Sequence, residues 1–157
     1  METSQKNNQA GGAAVLPVKL LRPGAVLPRR GTPGSAGLDL SAVVESPVEI
    51  RHGQVVGIPT GIAIQLEPGQ VCLVFGRSGL GSKHGVAPAN AVGVVDSDYR
   101  GELTVFLTCH KPEGYTVQPG ERIAQMVILP VAMLEPVEVR ELDETQRGTG
   151  GFGSTGF

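Results

Sequence analysis

The sequence predicts an all-β protein, a sandwich or a barrel built from many short strands. Three observations support this prediction. Short apolar stretches rich in Val, Ile and Leu recur from residue 15 to about residue 143. Turn-forming pairs such as Pro23-Gly24 and Pro119-Gly120 separate these stretches. Only 77–83 has a composition compatible with a short helix, and even this segment contains two glycines.

The predicted strands follow one another with turn signals between them. In chain order they are 18–20, 38–42, 48–50, 55–58, 62–66, 71–75, 92–95, 103–108, 115–117, 122–129 and 134–139. Several of them, including VCLVF, LTVFL and IAQMVIL, are apolar on both faces. Such a strand needs cover on both sides, either from an opposing sheet or from another copy of the chain. We favour cover by another copy of the chain and therefore expect a homo-oligomer.

Length and composition indicate one domain with an aliphatic core. The chain has 157 residues, no Trp and only 4% aromatic residues. Residues 1–14 are polar and small, which predicts a flexible leader and not a signal peptide. No apolar run approaches the roughly 20 residues of a membrane helix. Cys72 and Cys109 form no CxxC pair, so we interpret them as free thiols of a cytoplasmic protein, with a disulfide as the alternative.

The charge balance limits the class of ligand. A net charge of −2 argues against a protein that coats nucleic acid, because that task needs a broad basic surface. A small anionic ligand stays open, since a few converging Arg and Lys side chains are enough to bind one. We therefore expect neither nucleic acid nor a membrane as a partner.

Three short motifs resemble well-known sites but fail on context. The spacing G-x-G-x-x-G at Gly148 lacks the preceding strand and the following helix of a dinucleotide fingerprint. The segment 76–83 lacks the Gly-Lys-Ser/Thr order of a P-loop. The loop beginning at Asp96 has Leu107 where an EF-hand requires Glu.

Five polar, glycine-rich loops remain along the apolar scaffold. They are GSAGLDL (34–40), GRSGLGSKHG (76–85), NAVGVVDSDYRGEL (90–103), PGERIAQ (119–125) and RGTGGFGSTG (147–156). Their side chains suit a nucleotide: guanidinium and hydroxyl groups for phosphate, carboxylates for a base or a metal-bound water, and aromatic rings for a sugar or a base. The guanidinium and hydroxyl groups belong to Arg77, Arg147, Ser78 and Thr155. The carboxylates belong to Asp39 and Asp96, and the aromatic rings belong to Tyr99 and Phe152.

These five loops, in this order, resemble the five motifs of the trimeric dUTPase family, and the resemblance covers about residues 18–156. VVDSDYRGEL and RGTGGFGSTG are its most specific parts. The resemblance implies a jelly-roll-like β barrel of the β-clip type with one short helix at most. It also implies a homotrimer with shared active sites, in which the doubly apolar strands would line the subunit contacts. The implied reaction is hydrolysis of dUTP to dUMP and pyrophosphate with Mg²⁺.

The resemblance also implies roles for individual residues. Asp96 would be the general base, and Tyr99 would pack against the deoxyribose and exclude a 2′-hydroxyl. The residues that would bind uracil are Asn90, Gly93 and Val94. Those that would contact phosphate or its attacking water are Arg77, Ser78, Gly79 and Gln125. Asp39 would contact, through water, a magnesium ion held mainly by the triphosphate.

The last part of the resemblance concerns the chain ends. It implies a barrel domain over 15–143 and a flexible arm over 144–157, which would close over an active site. In that arm, the substrate contacts would come from Arg147, Phe152, Gly153, Ser154 and Thr155.

Two alternatives remain at this point. A dCTP deaminase shares the implied fold and part of the third motif, and a trimeric nucleotide-binding regulator could use the same scaffold without catalysis. The intact DSDYRG segment and the complete glycine-phenylalanine arm favour the hydrolase. Retention of Asp96 and Arg77 argues against an inactive descendant.

Overall fold

The computed structural model describes residues 15–151, which form a nearly all-β fold. The strands are β1 (Val18–Leu20), β2 (Leu38–Ser41), β3 (Val48–Ile50), β4 (Val55–Pro59), β5 (Ile62–Ile64), β6 (Gln70–Gly76), β7 (Val86–Pro88), β8 (Gly93–Val95), β9 (Thr104–Cys109), β10 (Tyr115–Val117) and β11 (Arg122–Pro130). A single short helical turn, Leu80–His84, lies between β6 and β7. The predicted all-β class and the short helix are both confirmed.

The strands are arranged in four small antiparallel sheets. Their orders are β1-β5, β10-β3, β2-β11-β6-β8 and β4-β9-β7. Strands of all four sheets contribute to one apolar core, with Leu40, Ile50, Ile62 and Leu107 almost completely buried. Because the core is filled by Leu, Ile, Val, Met, Ala and Cys, the predicted aliphatic core is confirmed.

The four-stranded sheet positions the polar loops. Asp39 on β2 lies opposite Gln125 on β11, and Gln125 lies opposite Phe75 on β6. Arg77 directly follows the end of β6, so it lies at the same end of the sheet. On the other side of β6, Val95 of β8 lies opposite Cys72, and Asp96 follows one residue later. The sheet therefore carries the first, second and fourth loops at one end and Asp96 at the other.

One strand was missed, and one predicted strand was wrong. Val86–Pro88 is a strand that the sequence did not reveal, because a glycine precedes it and a proline ends it. The segment 134–139 is not a strand in this chain, and Leu134 and Val137 are 85% and 78% exposed. A strand requires a hydrogen-bonding partner, and this segment has none within the described residues. The other predicted strands are present, with ends that move by at most two residues.

The doubly apolar strands differ from one another in burial. On β6 and β11 most outer-face side chains are half-buried, whereas Phe106 on β9 is 56% exposed. Cys72 and Cys109 are buried free thiols, which confirms the prediction of free thiols over the alternative of a disulfide. Within residues 15–151, no helix is long and apolar enough to cross a membrane.

Candidate active site

One surface cavity lies beside β8 and the loop that follows it. This hairpin cavity has a volume of about 430 Å³. Five residues singled out in the sequence line it: Asn90, Gly93, Val94, Asp96 and Tyr99. Val94 and Phe106 give the cavity exposed apolar walls, while Asp96 and Glu102 are its carboxylates. The structure therefore brings the third loop together as one concave surface.

The chain enters β8 through a tight turn that presents Asn90. Ala91 has a φ of 63°, in the left-handed region that few residues other than glycine adopt. The Ala91 N–H donates to the Pro88 carbonyl (3.0 Å), and the Val92 N–H donates to the Asn90 carbonyl (2.7 Å). Such strained backbone is often found in binding sites, where surrounding structure maintains it. Here it leaves Asn90 exposed at the rim of the cavity.

A second turn, after β8, sets the positions of Asp96 and Tyr99. The Tyr99 N–H donates to the Asp96 carbonyl (3.2 Å), which closes the turn. Arg100 stabilises it from outside, because its Nη1 donates to the Ser97 and Tyr99 carbonyls (2.7 and 2.9 Å). The Tyr99 hydroxyl donates to the Glu102 carbonyl (3.1 Å). These bonds fix the turn from which Asp96 and Tyr99 both line the cavity.

The second cavity, which we call the arginine cavity, has a volume of about 210 Å³ and lies at the opposite end of β6. Its lining includes the predicted residues Asp39, Arg77, Ser78, Gly79 and Gln125. Arg122, Ser35 and the glycines Gly31 and Gly37 complete the wall. The first, second and fourth loops therefore meet in one polar depression.

Asp39 organises the charges of this cavity. Its Oδ1 accepts from Arg77 Nε (3.1 Å) and its Oδ2 from Arg122 Nη1 (2.9 Å). Arg77 also donates through Nη1 to the Arg122 carbonyl (3.1 Å). The Asp39 side chain is only 17% exposed, whereas that of Arg122 is 56% exposed. One carboxylate therefore holds two guanidinium groups at the surface, an arrangement suited to an anion with several negative charges.

Gln125 is positioned by two glycines. Its Nε2 donates to the Gly76 carbonyl (3.0 Å), which orients the carboxamide. A β-carbon on Gly37 would overlap Gln125 Oε1 and lie 3.1 Å from its Cδ, so a glycine at this position leaves room for the side chain. The first loop therefore needs a glycine at position 37 to accommodate a residue of the fourth loop.

The fifth loop is only partly within the described residues. Arg147 is exposed, and its Nε donates to the Gly150 carbonyl (2.9 Å) in a short turn of its own. Arg147 lines neither cavity. The predicted sites at Phe152, Gly153, Ser154 and Thr155, like the predicted leader, lie outside the described residues.

Metal-ligating side chains and thiols are the other chemically active groups of residues 15–151. Across residues 15–151, no group of three or more His, Cys, Asp or Glu side chains is placed to hold a metal ion. Burial raises the pKa of the Cys72 thiol to about 11, so this group stays protonated at neutral pH and is a poor nucleophile. The chemistry of the described chain is concentrated in the two cavities.

Sequence reasoning missed Arg122, Glu102 and Phe106, which all line the cavities. Arg122 lies within the quoted PGERIAQ loop, so its charge was a usable signal. Its pairing with Asp39 depends on the register of β2 against β11, which the sequence does not reveal. Phe106 looked like one more core residue of an apolar strand.

The chain is similar in sequence to known proteins. The family model of dUTPase matches residues 24–156. A deoxyuridine 5'-triphosphate nucleotidohydrolase of Desulfitobacterium hafniense is 54% identical over 131 residues, which cover 83% of this chain and 87% of that protein. The protein of the same description from Aeromonas salmonicida is 47% identical, with 83% of this chain and 86% of that protein covered.

Solved structures show the same fold. The dUTPase of Staphylococcus bacteriophage 80alpha, solved with dUPNHPP, is 28% identical and superposes with a TM-score of 0.79 over 92% of this chain and 100% of that chain. The dUTPase of phage phi11 of S. aureus, whose structure is described as revealing the coordination of a structural Mg(II) ion, is 24% identical. It superposes with a TM-score of 0.74 over 82% of this chain and 98% of that chain. The predicted jelly-roll-like fold is thus confirmed by these neighbours.

Proposed function

This chain belongs to the dUTPase family, and we propose that its two cavities are the two halves of one active site for dUTP. The reaction is hydrolysis of dUTP to dUMP and pyrophosphate, which prevents uracil incorporation into DNA and supplies dUMP for thymidylate synthesis. One observation carries the proposal. The residues of four ordered loops form two cavities. One contains a carboxylate and an aromatic ring, and the other contains paired guanidinium groups.

In the hairpin cavity we assign the base and the sugar. The Asn90 amide has both a donor and an acceptor, which suits the edge of uracil and mispairs with the amino group of cytosine. Gly93 and Val94 bring the backbone of β8 close to the base and limit the space for a methyl group. Tyr99 forms the wall against the deoxyribose. The apolar lining around Val94 and Phe106 supports this assignment.

We assign Asp96 as the general base. Its carboxylate is exposed at the cavity, next to Tyr99, where a water molecule can approach it. The water gives a proton to Asp96 while its oxygen attacks the α-phosphorus, and the bond from that phosphorus to the oxygen bridging to the β-phosphate breaks. Pyrophosphate then leaves with the electron pair of that bond. A carboxylate suits this role because its oxygens can accept the proton of the attacking water.

In the arginine cavity we assign the phosphates. Arg77 offers a forked donor, Ser78 a hydroxyl, and Gly79 a backbone without a side chain. Gln125 contributes a polar contact near the α-phosphate and its water. Arg122 adds a second guanidinium group, which Asp39 holds beside Arg77. Hydrogen-bond donors aimed at the phosphates stabilise the charge that develops in the transition state.

The residues fit a magnesium ion carried by the substrate. Mg²⁺ is usually bound by one or two carboxylates together with substrate phosphates. Asp39 is the one carboxylate lining the arginine cavity, and two arginines occupy its oxygens, so we assign it a contact with the ion through water. When bound, the ion would neutralise part of the triphosphate charge.

We propose that each active site combines two chains. Three strand spacings of about 4.8 Å separate β2 from β8, which is about 14 Å across the sheet. Asp39 lies at the level of Phe75 and Asp96 at the level of Val71, four residues or about 13 Å further along. Asp96 and the Asp39–Arg77 pair are therefore about 20 Å apart within one chain. Three linked phosphates are much shorter than this distance.

A homotrimer would resolve the separation by placing the arginine cavity of one copy beside the hairpin cavity of another. The exposed outer face of β9 around Phe106 and the exposed segment 131–142 offer apolar surface for such contacts. Arg147 and residues 152–155 would complete the site as an arm. We propose a cytoplasmic location, where reducing conditions would keep Cys72 and Cys109 as free thiols.

A pyrophosphate-release assay tests the activity. Purified protein is compared on dUTP, dTTP, dCTP and UTP, with and without Mg²⁺. We expect release from dUTP in large excess over the other three and a strong dependence on Mg²⁺. Accumulation of deoxyuridine nucleotides from dCTP, or no release from dUTP, would contradict the proposal.

Mixed oligomers test the shared site. Asp96→Asn and Arg77→Ala chains are co-expressed with different tags and purified through both. If each site takes Asp96 from one chain and Arg77 from another, every mixed trimer purified through both tags has one intact site in three. Asp96→Asn mixed with Asn90→Ala is the matched control, because both changes lie in the hairpin cavity and no intact site can form. Equal activity in the two mixtures would show that the site lies within one chain.

A further inference from the structure

Tyr99 is folded back over its own chain, and a glycine makes this possible. The Tyr99 hydroxyl reaches the Glu102 carbonyl three residues later (3.1 Å), so the ring must pass over residue 101. A β-carbon on Gly101 would overlap the Tyr99 hydroxyl oxygen and lie 2.6 Å from Cζ and 3.0 Å from Cε2. Only a residue without a side chain leaves the ring in this place.

The backbone does not explain the glycine at this position. Glycines are often required where φ is positive, and eight described glycines have such a φ, but Gly101 is not one of them. Alanine could therefore adopt the backbone conformation of residue 101 without strain. The need for glycine at position 101 arises from the space that Tyr99 occupies.

The other end of this arrangement is fixed to the β scaffold. Glu102, whose carbonyl receives the Tyr99 hydroxyl, accepts from the Gly61 N–H through Oε1 (2.8 Å) and pairs with Arg22 through Oε2. The next residue, Leu103, is buried. The Tyr99 ring is therefore positioned by a carbonyl that is itself attached to the loop between β4 and β5.

We propose that Gly101 is a positioning residue for substrate specificity. Because residue 101 has no side chain, the Tyr99 ring lies against its backbone, and this position sets the distance between the ring and the ribose. The inference rests on the proposed function, in which Tyr99 excludes the 2′-hydroxyl. A ring displaced from this position no longer fills the space of the 2′-hydroxyl, so the enzyme loses discrimination between dUTP and UTP. Gly101 acts through Tyr99 and does not touch the substrate.

The main test is kcat/KM for UTP and dUTP in four proteins: wild type, Gly101→Ala, Tyr99→Ala and the double variant. In Gly101→Ala we expect the UTP:dUTP ratio to rise about tenfold, the scale on which loss of one steric contact reduces selectivity. The double variant should match Tyr99→Ala, because residue 101 has no effect once the ring is absent. Gly81→Ala is the control, since its β-carbon would meet only the Val86 carbonyl at 3.8 Å and its N–H is already bonded to the Arg77 carbonyl.

A second measurement follows the ring directly. The sequence contains two tyrosines, so ring-¹³C-labelled tyrosine gives two sets of signals, and those of Tyr115 serve as an internal reference. We expect Gly101→Ala to shift the Tyr99 signals and leave those of Tyr115 in place.

The possible results distinguish a failure of this inference from a failure of the proposed function. If Tyr99→Ala raises the UTP:dUTP ratio and Gly101→Ala does not, the positioning role of Gly101 is wrong while the role of Tyr99 stands. If neither variant changes the ratio, the role assigned to Tyr99 is wrong and the inference falls with it. If Gly101→Ala fails to fold but the double variant folds, the ring is confirmed as the obstacle. If both fail to fold, the inference is overturned.

Discussion

The hairpin cavity and the arginine cavity are built on different physical principles. The hairpin cavity is defined by backbone and apolar side chains. Ala91 has a strained backbone conformation, and the Tyr99 ring lies against Gly101. The arginine cavity is defined by charge, with Asp39 holding two guanidinium groups. Shape can exclude a group such as a 2′-hydroxyl, whereas charge attracts any polyphosphate. We therefore expect selectivity and phosphate binding to be separable in this protein.

The largest expected effect comes from Asp96→Asn in the hairpin cavity. We expect kcat to fall about 10²-fold or more, because the amide cannot accept the proton from water while the cavity keeps its shape. Binding of dUTP, measured by calorimetry, should stay close to that of the wild type. Asp98→Asn is the matched control, since Asp98 is exposed in the same turn and does not line the cavity. Normal turnover in Asp96→Asn would rule out the assigned base.

Arg77→Ala should be the second largest change. We expect kcat/KM for dUTP to fall by about 10²-fold, because a forked, charge-assisted contact to the phosphates is lost. Arg77→Lys should recover only part of this loss, since lysine keeps the charge but not the planar fork. Inhibition by deoxyuridine, which has no phosphate, should be unchanged in both variants. A weakened deoxyuridine inhibition would show that the two cavities are not separable.

Asp39→Asn should have a smaller effect on the same cavity. We expect KM for dUTP to rise about tenfold with little change in kcat, because the two guanidinium groups would lose their shared anchor and repel each other. Glu113→Gln serves as the control, since Glu113 forms an exposed pair with Lys111 away from both cavities. A large fall in kcat with unchanged KM would point to a role of Asp39 in the chemical step.

The smallest effect is the response to salt. Raising NaCl to about 0.5 M should increase KM for dUTP a few-fold, because the exposed guanidinium groups are screened. The inhibition constant of deoxyuridine should not move. An equal response of both constants would mean that charge also contributes to the hairpin cavity.

The sequence predicted the strands where apolar runs are interrupted by turn residues, as at Val48–Ile50 and Tyr115–Val117. It failed where a strand depends on its neighbours. Val86–Pro88 becomes a strand because β9 lies beside it, whereas 134–139 has no strand partner among residues 15–151 despite its apolar pattern. Strand formation is a property of two segments, and local composition describes only one.

The ordered loops alone determined the family resemblance, and they predicted the nucleotide ligand and the site residues, because residue types limit which chemistry a loop can perform. Only the tertiary structure decided which of these residues meet. The register of β2, β11 and β6 brings Asp39, Arg77 and Arg122 together and leaves Asp96 at the far end of the sheet. The same holds at Gly101, where an unremarkable glycine gains a role because a tyrosine two residues earlier folds over it. Chemistry is carried by residue type, but distance is set by the pairing of strands remote in sequence.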